Sequence, residues 1–232
     1  MSGIAEFLVW YLVFVFSTTC HEAAHAWVAR RGGDSTAYAL GHVTLDPLPH
    51  IRREPFGMVI VPILSFFQLG WIMGWASVPF DPLWGARHPK RWALMSLAGP
   101  ATNFLLAAMA FAALRGLSSM NVLSLTDAGG VTVGLVQLPP GYALNSPLGA
   151  LGLGLTALLK MNVILGLYNL LPVPPLDGAA VVEGFAPRGL RSLYDSIRRN
   201  PMLQLLMLLG AWYVFPTLLN PVFRVVLRSL YS

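Results

Sequence analysis

Apolar residues gather in five long stretches, roughly 4 to 29, 56 to 78, 92 to 115, 147 to 171 and 201 to 223, separated by polar runs rich in Arg, Pro and Gly. Each comes near the ~20 residues that a helix needs to cross ~30 Å of hydrocarbon. The pattern predicts an all-α polytopic membrane protein, a bundle of about four to six transmembrane helices in one membrane-embedded domain over residues 1–232. Pro216 and Pro221 interrupt the last stretch, which extends to about residue 230 and reads as two short C-terminal helices. The first stretch stays as an anchor, because Met1 to Glu6 lacks a basic segment and no small-x-small cleavage site follows Phe16.

Basic residues orient these stretches. Arg30, Arg31, Arg52 and Arg53 follow the first; Arg87, Lys90 and Arg91 precede the third; Arg188, Arg191, Arg198 and Arg199 precede the last. The connection from Gly116 to Ser146 has none. Cytoplasmic loops are enriched in Lys and Arg, so the first stretch runs inward, the third outward and the fourth inward. Stretch 56 to 78 must then enter and leave on the cytoplasmic side as a re-entrant hairpin with short β-strands, and Pro62, Gly70, Gly74 and Pro79 suit such a bent path. The competing reading is an ordinary span with one basic loop on the wrong side. Residues 116–146 form the one sizeable extramembrane connection, with Val131 to Leu138 as a short strand.

Composition narrows the function. The chain is 56% hydrophobic and 11% charged, and its net charge of +5 arises from 15 Lys and Arg against 10 Asp and Glu. Long uncharged runs exclude a disordered or nucleic-acid-binding chain, so the positive excess faces lipid headgroups. Cys20 is the sole cysteine, which rules out an intramolecular disulfide and a multi-cysteine metal cluster.

Polar chemistry breaks the apolar pattern at His21-Glu22-Ala23-Ala24-His25. On a helix the two imidazoles lie ~40° apart and ~6 Å along the axis, so both reach one metal, while Glu22, ~100° round, stands beside them as a base. Ionisable groups in a spanning helix are costly unless they face a polar interior, which favours a functional site over a chance match. A catalytic zinc keeps three protein ligands, so a third must come from elsewhere at similar depth. Asp177 follows Asn169-Leu170-Leu171-Pro172-Val173-Pro174-Pro175-Leu176, where prolines stop the fourth stretch and unwind the backbone before a lone carboxylate. His42, Asp46 and His50 are the alternatives; Gly41, Pro47 and Pro49 argue against a continuous helix there and make them loop residues.

Depth arithmetic favours one site near the cytoplasmic face. His21 lies ~26 Å along a helix from Ile4, His25 ~8 Å from Arg30 and Gly99 ~12 Å from Arg91. Ala98-Gly99-Pro100 with Asn103 is then a close-packing partner that puts an amide near the metal; the alternative is that Gly99 and Pro100 merely kink a lipid-embedded helix. Lys160, mid-span, snorkels, meets a carboxylate or works beside Asn162 at the active-site face.

Taken together and in this order, His21 to His25, Ala98-Gly99-Pro100-x-x-Asn103 and Asn169-x-x-Pro172-x-Pro174-Pro175-Leu176-Asp177-Gly178 resemble the site-2 protease family of intramembrane zinc metalloproteases. Thr44-Leu45-Asp46-Pro47 and Gly74-Trp75-Ala76 are similar to a compact bacterial and archaeal branch. The resemblance implies one Zn2+ per chain held by His21, His25 and Asp177, with Glu22 as general base and Asn169 holding the scissile carbonyl or its oxyanion. Gly99, Pro100, Asn103 and Asn162 are then expected to support the site or touch substrate. The implied partners are a transmembrane protein substrate and membrane lipid, with no nucleic acid. The implied place is a prokaryotic cell membrane, active site toward the cytoplasm. An unwound substrate segment is expected to pair with an edge strand from Val43 to Leu45 or Ala76 to Phe80.

The chain departs from the branch in two places. Asp46 stands where Asn is usual, and Arg52-Arg53-Glu54 lengthen the next link, so this loop is expected to bind substrate differently. No PDZ or nucleotide-sensing domain fits between the third and fourth stretches. A metal transporter or pseudo-enzyme with the same ligands would need no Glu22 and would show inverted repeats. A scaffold predicts that Glu22→Gln leaves function intact.

Overall fold

A computed structural model describes residues 3–125, 136–138 and 146–231. From the N-terminus, α1 (Gly3–Gly32) runs through the bundle, and two short helices, α2 (Thr36–Ala39) and α3 (Pro47–Arg53), follow its basic end. A π-helical turn (Phe56–Ile60) leads into α4 (Val61–Leu69), which ends at Gly70 in the left-handed conformation, φ 76°. The chain then returns in extended form, and the Trp75 N–H reaches the Gly57 carbonyl at 3.2 Å. Residues 56–81 thus run out as a helix and double back as extended chain. Phe56–Leu69 reaches only ~21 Å at ~1.5 Å per residue, short of the ~30 Å that a span requires.

After α5 (Pro82–Arg87) come α6 (Pro89–Ser119), α7 (Pro147–Asn169), α8 (Asp177–Phe185), α9 (Arg188–Arg198) and α10 (Pro201–Tyr231). Among the described residues, α1, α6, α7 and α10 are the helices long and apolar enough to cross a membrane. The protein is an all-α polytopic membrane protein. One starting device recurs: Asp46-Pro47, Asp81-Pro82 and Ser146-Pro147 each open a helix, their side chains accepting the N–H of Leu48, Leu83 and Gly149 at 2.9, 2.8 and 3.2 Å. This places His50 inside α3, against the loop reading of that segment, because proline at the first helical position forfeits no needed bond. Asp46 is equally well served by the family's usual Asn, since both are good caps.

Other expectations need correction. α10 runs unbroken through Pro216 and Pro221, where two helices were expected. Each proline removes one backbone bond, and in a membrane helix local adjustment re-satisfies the freed carbonyl. α8 and α9 follow the Pro-rich segment, which the sequence reading left without helices. The strand expected over 131 to 138 is described only at β2 (Val136–Gln137), antiparallel to β1 (Ser124–Leu125), and 131–135 lie outside the described residues. These strands sit in the 116–146 connection and not in the hairpin.

α1, α6, α7 and α8 pack most closely, with buried alanines such as Ala26, Ala107, Ala110, Ala157 and Ala179 at their contacts letting backbones approach. The basic end of α1 meets the basic start of α6, where Trp84 Nε1 and Arg91 Nη1 each donate to the Gly32 carbonyl at 3.1 Å.

Candidate metal centre

α1 carries a buried polar run within its apolar length: Ser17, Thr18, Thr19, His21, Glu22 and His25. His21 Nε2 and His25 Nε2 stand 2.9 Å apart. Asp177 Oδ2, from the first residue of α8, lies 3.1 Å from the former and 3.3 Å from the latter. Of the four candidates for a third ligand, the structure brings Asp177 to the histidines. Asp46 is exposed at its cap, and His42 and His50 form a separate buried pair with rings 5.3 Å apart.

The donor set fits a metal ion. His25 Nδ1 lies 2.7 Å from the Met95 carbonyl, which only accepts, so Nδ1 carries the ring proton and Nε2 presents a lone pair. His21 Nδ1 lies 2.6 Å from Asn103 Oδ1, again an acceptor. As neutral rings protonated at Nδ1, the two histidines would direct two nitrogen lone pairs and the Asp177 carboxylate oxygen at one point, a donor set that suits a cation. A tetrahedral zinc with bonds of ~2.0–2.1 Å separates its ligand atoms by ~3.3 Å, close to the 2.9, 3.1 and 3.3 Å observed. Gly99 borders the same seat: a Cβ there would lie no more than 2.5 Å from either Nε2. The Glu22 carboxylate is within 4.8 Å of the histidine nitrogens and buried.

Local sequence explains the placement. Gly178 lets the first turn of α8 press against the end of α7, since a Cβ would strike the Leu170 and Leu171 carbonyls. The unwound Pro-rich backbone is covered from α9, whose Tyr194 hydroxyl donates to the Pro172 carbonyl at 3.0 Å. Pro100 supplies no N–H to the Ser96 carbonyl one turn back, and Ser96 lines the cavity.

A cavity of about 410 Å³ opens on the site. It is lined by His21, Glu22, His25, Asp177 and Asn169, by Ala76, Ser77, Val78 and Phe80 of the extended segment, and by Arg198 and Gln204. Asn169 Nδ2 donates one proton to the Leu165 carbonyl at 3.0 Å and carries a second. Asn103 and Asn162 are fully buried and do not line the cavity; they lie behind His21. Lys160 is buried within the bundle, 2% exposed, and so does not snorkel to its surface.

Several residues in or behind the cavity wall carry no spacing signal that marks them for a site. Buried Asp34 accepts from the Thr36 N–H at 2.9 Å, the Thr36 hydroxyl at 2.6 Å and the Asp81 N–H at 2.8 Å, tying the end of α1 to the end of the extended segment. Burial raises its carboxyl, but these donors outweigh that effect and hold it below the ordinary 3.8. Ser77 donates to Glu54 Oε1 at 2.5 Å and accepts from Arg53 Nε at 3.4 Å, so the link that departs from the family pattern backs the cavity wall. Arg198 lies 4.8 Å over the Trp92 ring and pairs with buried Glu183 of α8.

Four helices long and apolar enough to cross a membrane, with a buried His-Glu-His group positioned for a metal ion, fit a membrane metalloprotease. The chain belongs to peptidase family M50, the site-2 proteases, which its residues 9–209 match. It is 30% identical over 215 residues to "Putative zinc metalloprotease YwhC" of Bacillus subtilis (strain 168), covering 90% of this chain and 85% of that protein. It is 29% identical over 170 residues to "Putative zinc metalloprotease Rip2" of Mycobacterium tuberculosis (strain ATCC 25618 / H37Rv), covering 73% of this chain and 54% of that one. The Mycolicibacterium smegmatis Rip2 is 28% identical over 183 residues, 79% of this chain and 59% of its own length. The chain therefore spans little more than half of the Rip2 proteins. No solved structure matches it. The protein is a zinc metalloprotease, and zinc is its cofactor.

Proposed function

We propose that this protein is an intramembrane endopeptidase that hydrolyses a peptide bond in or near a transmembrane segment of a protein substrate, with its site toward the cytoplasm of a prokaryotic cell. The observation that carries this reading is the convergence of His21, His25 and Asp177, with Glu22 buried beside them, on a cavity inside the bundle. In this reading His21, His25 and Asp177 hold one zinc per chain. Zinc, when bound, supplies Lewis acidity, lowering the pKa of water and polarising a carbonyl.

Glu22 takes a proton from the attacking water at a carboxylate oxygen and delivers it to the leaving amide nitrogen. Asn169 turns its second amide proton toward the oxyanion as charge develops. A substrate helix hides its peptide bonds and must unwind locally, and the extended segment 76–80, which pairs with no strand among the described residues, offers an edge for β-addition. Val43 to Leu45, the alternative edge, lie outside this cavity and face Cys20 and Trp27. The cytoplasmic orientation rests on the basic groups gathered where α1 ends and α6 begins. A metal carrier with the same ligands leaves Glu22 without a task.

The test is cleavage of a purified transmembrane protein by the full chain in lipid vesicles, with products mapped by mass spectrometry. The expected cut lies within or beside the span, stops on chelation and returns with zinc. Cuts confined to soluble loops would contradict the intramembrane reading.

A further inference from the structure

The two histidines are oriented by different means. His25 gives its Nδ1 proton directly to a backbone carbonyl, whereas His21 faces a side-chain amide. An asparagine amide has a donor end and an acceptor end of nearly the same shape, so Asn103 fits against His21 in two senses. With its oxygen toward Nδ1, the ring keeps its proton there and leaves a lone pair at Nε2. With its nitrogen toward Nδ1, the proton is forced to Nε2 and into the seat shared with His25 and Asp177.

The sense is set further back. Asn103 Nδ2 donates to Asn162 Oδ1 at 2.8 Å, and Asn162 Nδ2 donates to the Leu158 carbonyl at 2.8 Å. A backbone carbonyl only accepts, so it fixes which end of Asn162 points to it. Asn162 then presents oxygen to Asn103, and Asn103 presents oxygen to His21. The same Asn162 Nδ2 also donates to Ser17 Oγ at 2.8 Å, one turn before His21, so the chain of bonds clasps α7, α6 and α1. Asn103, Asn162 and Ser17 are each 0% exposed, which leaves no solvent to stand in for a lost partner. Buried amides without partners are costly in a membrane interior.

We propose that Asn162 is a positioning residue for the metal site: acting through Asn103, it selects the His21 tautomer whose Nε2 can take zinc. This rests on the reading of His21 as a ligand. Outer partners of metal-bound histidines fix tautomer and ring orientation, and their loss costs about 10–100-fold in metal affinity. Asn162→Leu removes the director and lets Asn103 turn over. Asn162→Thr keeps a hydroxyl for the Leu158 carbonyl, and so packs, but stops short of Asn103. Asn162→Asp, as a neutral acid at a buried position, keeps both a donor and an acceptor end.

The experiment titrates zinc into the purified full chain in detergent against a chromogenic chelator, with the visible spectrum of the cobalt-loaded protein reporting the ligand set. The expected result is affinity weakened about tenfold or more in the Leu and Thr variants, with wild-type affinity and cobalt spectrum in the Asp variant. Wild-type affinity in the folded Leu or Thr variant would overturn the proposal while leaving the ligand assignment standing, as would an Asp variant as weak as the other two. A wild type that takes up no zinc would overturn the ligand assignment itself.

Discussion

The two sides of the cavity are built differently. On the side of α1, α6 and α7, the two histidines and the amides behind them are held in series: His25 by Met95, His21 by Asn103, Asn103 by Asn162, and Asn162 by the backbone of its own helix. On the side of residues 73–81 and the α9–α10 junction, the wall is extended chain tied at a few points, chiefly by Asp34 to Asp81 and by Glu54 to Ser77. α10 has few residues buried, Phe215, Leu219 and Leu230 among them. A metal seat tolerates little displacement, while an unwound substrate segment needs a wall that can receive it. In the proposed reading the fixed chemistry rests on the spanning helices α1, α6 and α7 with Asp177 supplied by the short α8, and the edge for substrate lies on the hairpin.

The largest effect that would break this contrast lies on the fixed side. Gly99→Ala puts a methyl group into the seat between the two ε-nitrogens, and both zinc content and cleavage should fall to background, as read by elemental analysis and product formation. Next comes Asp177→Asn, which keeps shape but removes the anionic oxygen. Its zinc affinity should fall by more than the ~10–100-fold that outer-shell changes cost, measured by chelator competition.

Effects on the hairpin side should be smaller and of another kind. Asp34→Ala loses the charged acceptor of three hydrogen bonds, at about 1.5–3 kcal/mol for a bond to a charged group. Steady-state kinetics should show KM raised with kcat little changed, because the wall loosens while the metal seat stays. Because the Asp34 carboxyl titrates below its ordinary 3.8, the contribution is present above that pH and is lost as pH falls through the lowered native value; the acid limb of unfolding should flatten in Asp34→Ala. Smallest of all, Asp46→Asn exchanges one good helix cap for another and should change thermal stability by no more than a few tenths of a kcal/mol.

These regions also differ in how far the sequence reveals them. His21 and His25 stand out because helical spacing alone puts both on one face, and Asp177 because three prolines unwind the chain before it; the folded chain brings these residues together. Positive charge in the loops pointed to a hairpin at 56 to 78, and the chain doubles back there. Asp34 and Ser77 were invisible because the bonds that tie them to the cavity wall, Asp34 to Asp81 and Ser77 to Glu54 and Arg53, join residues remote in sequence and leave no periodic trace. α8 and α9 were missed because both are short helices that rest on other helices. Pro216 and Pro221 misled, since a breaker in water is tolerated in a membrane helix.

The most direct test compares wild type with Glu22→Gln for zinc content and cleavage of the same transmembrane substrate. The account predicts equal zinc, about one per chain, with cleavage slowed by about 10²–10⁴ in the variant, the range of general acid–base catalysis. Cleavage at the wild-type rate with zinc retained would contradict it, because Glu22 would then be neither base nor ligand.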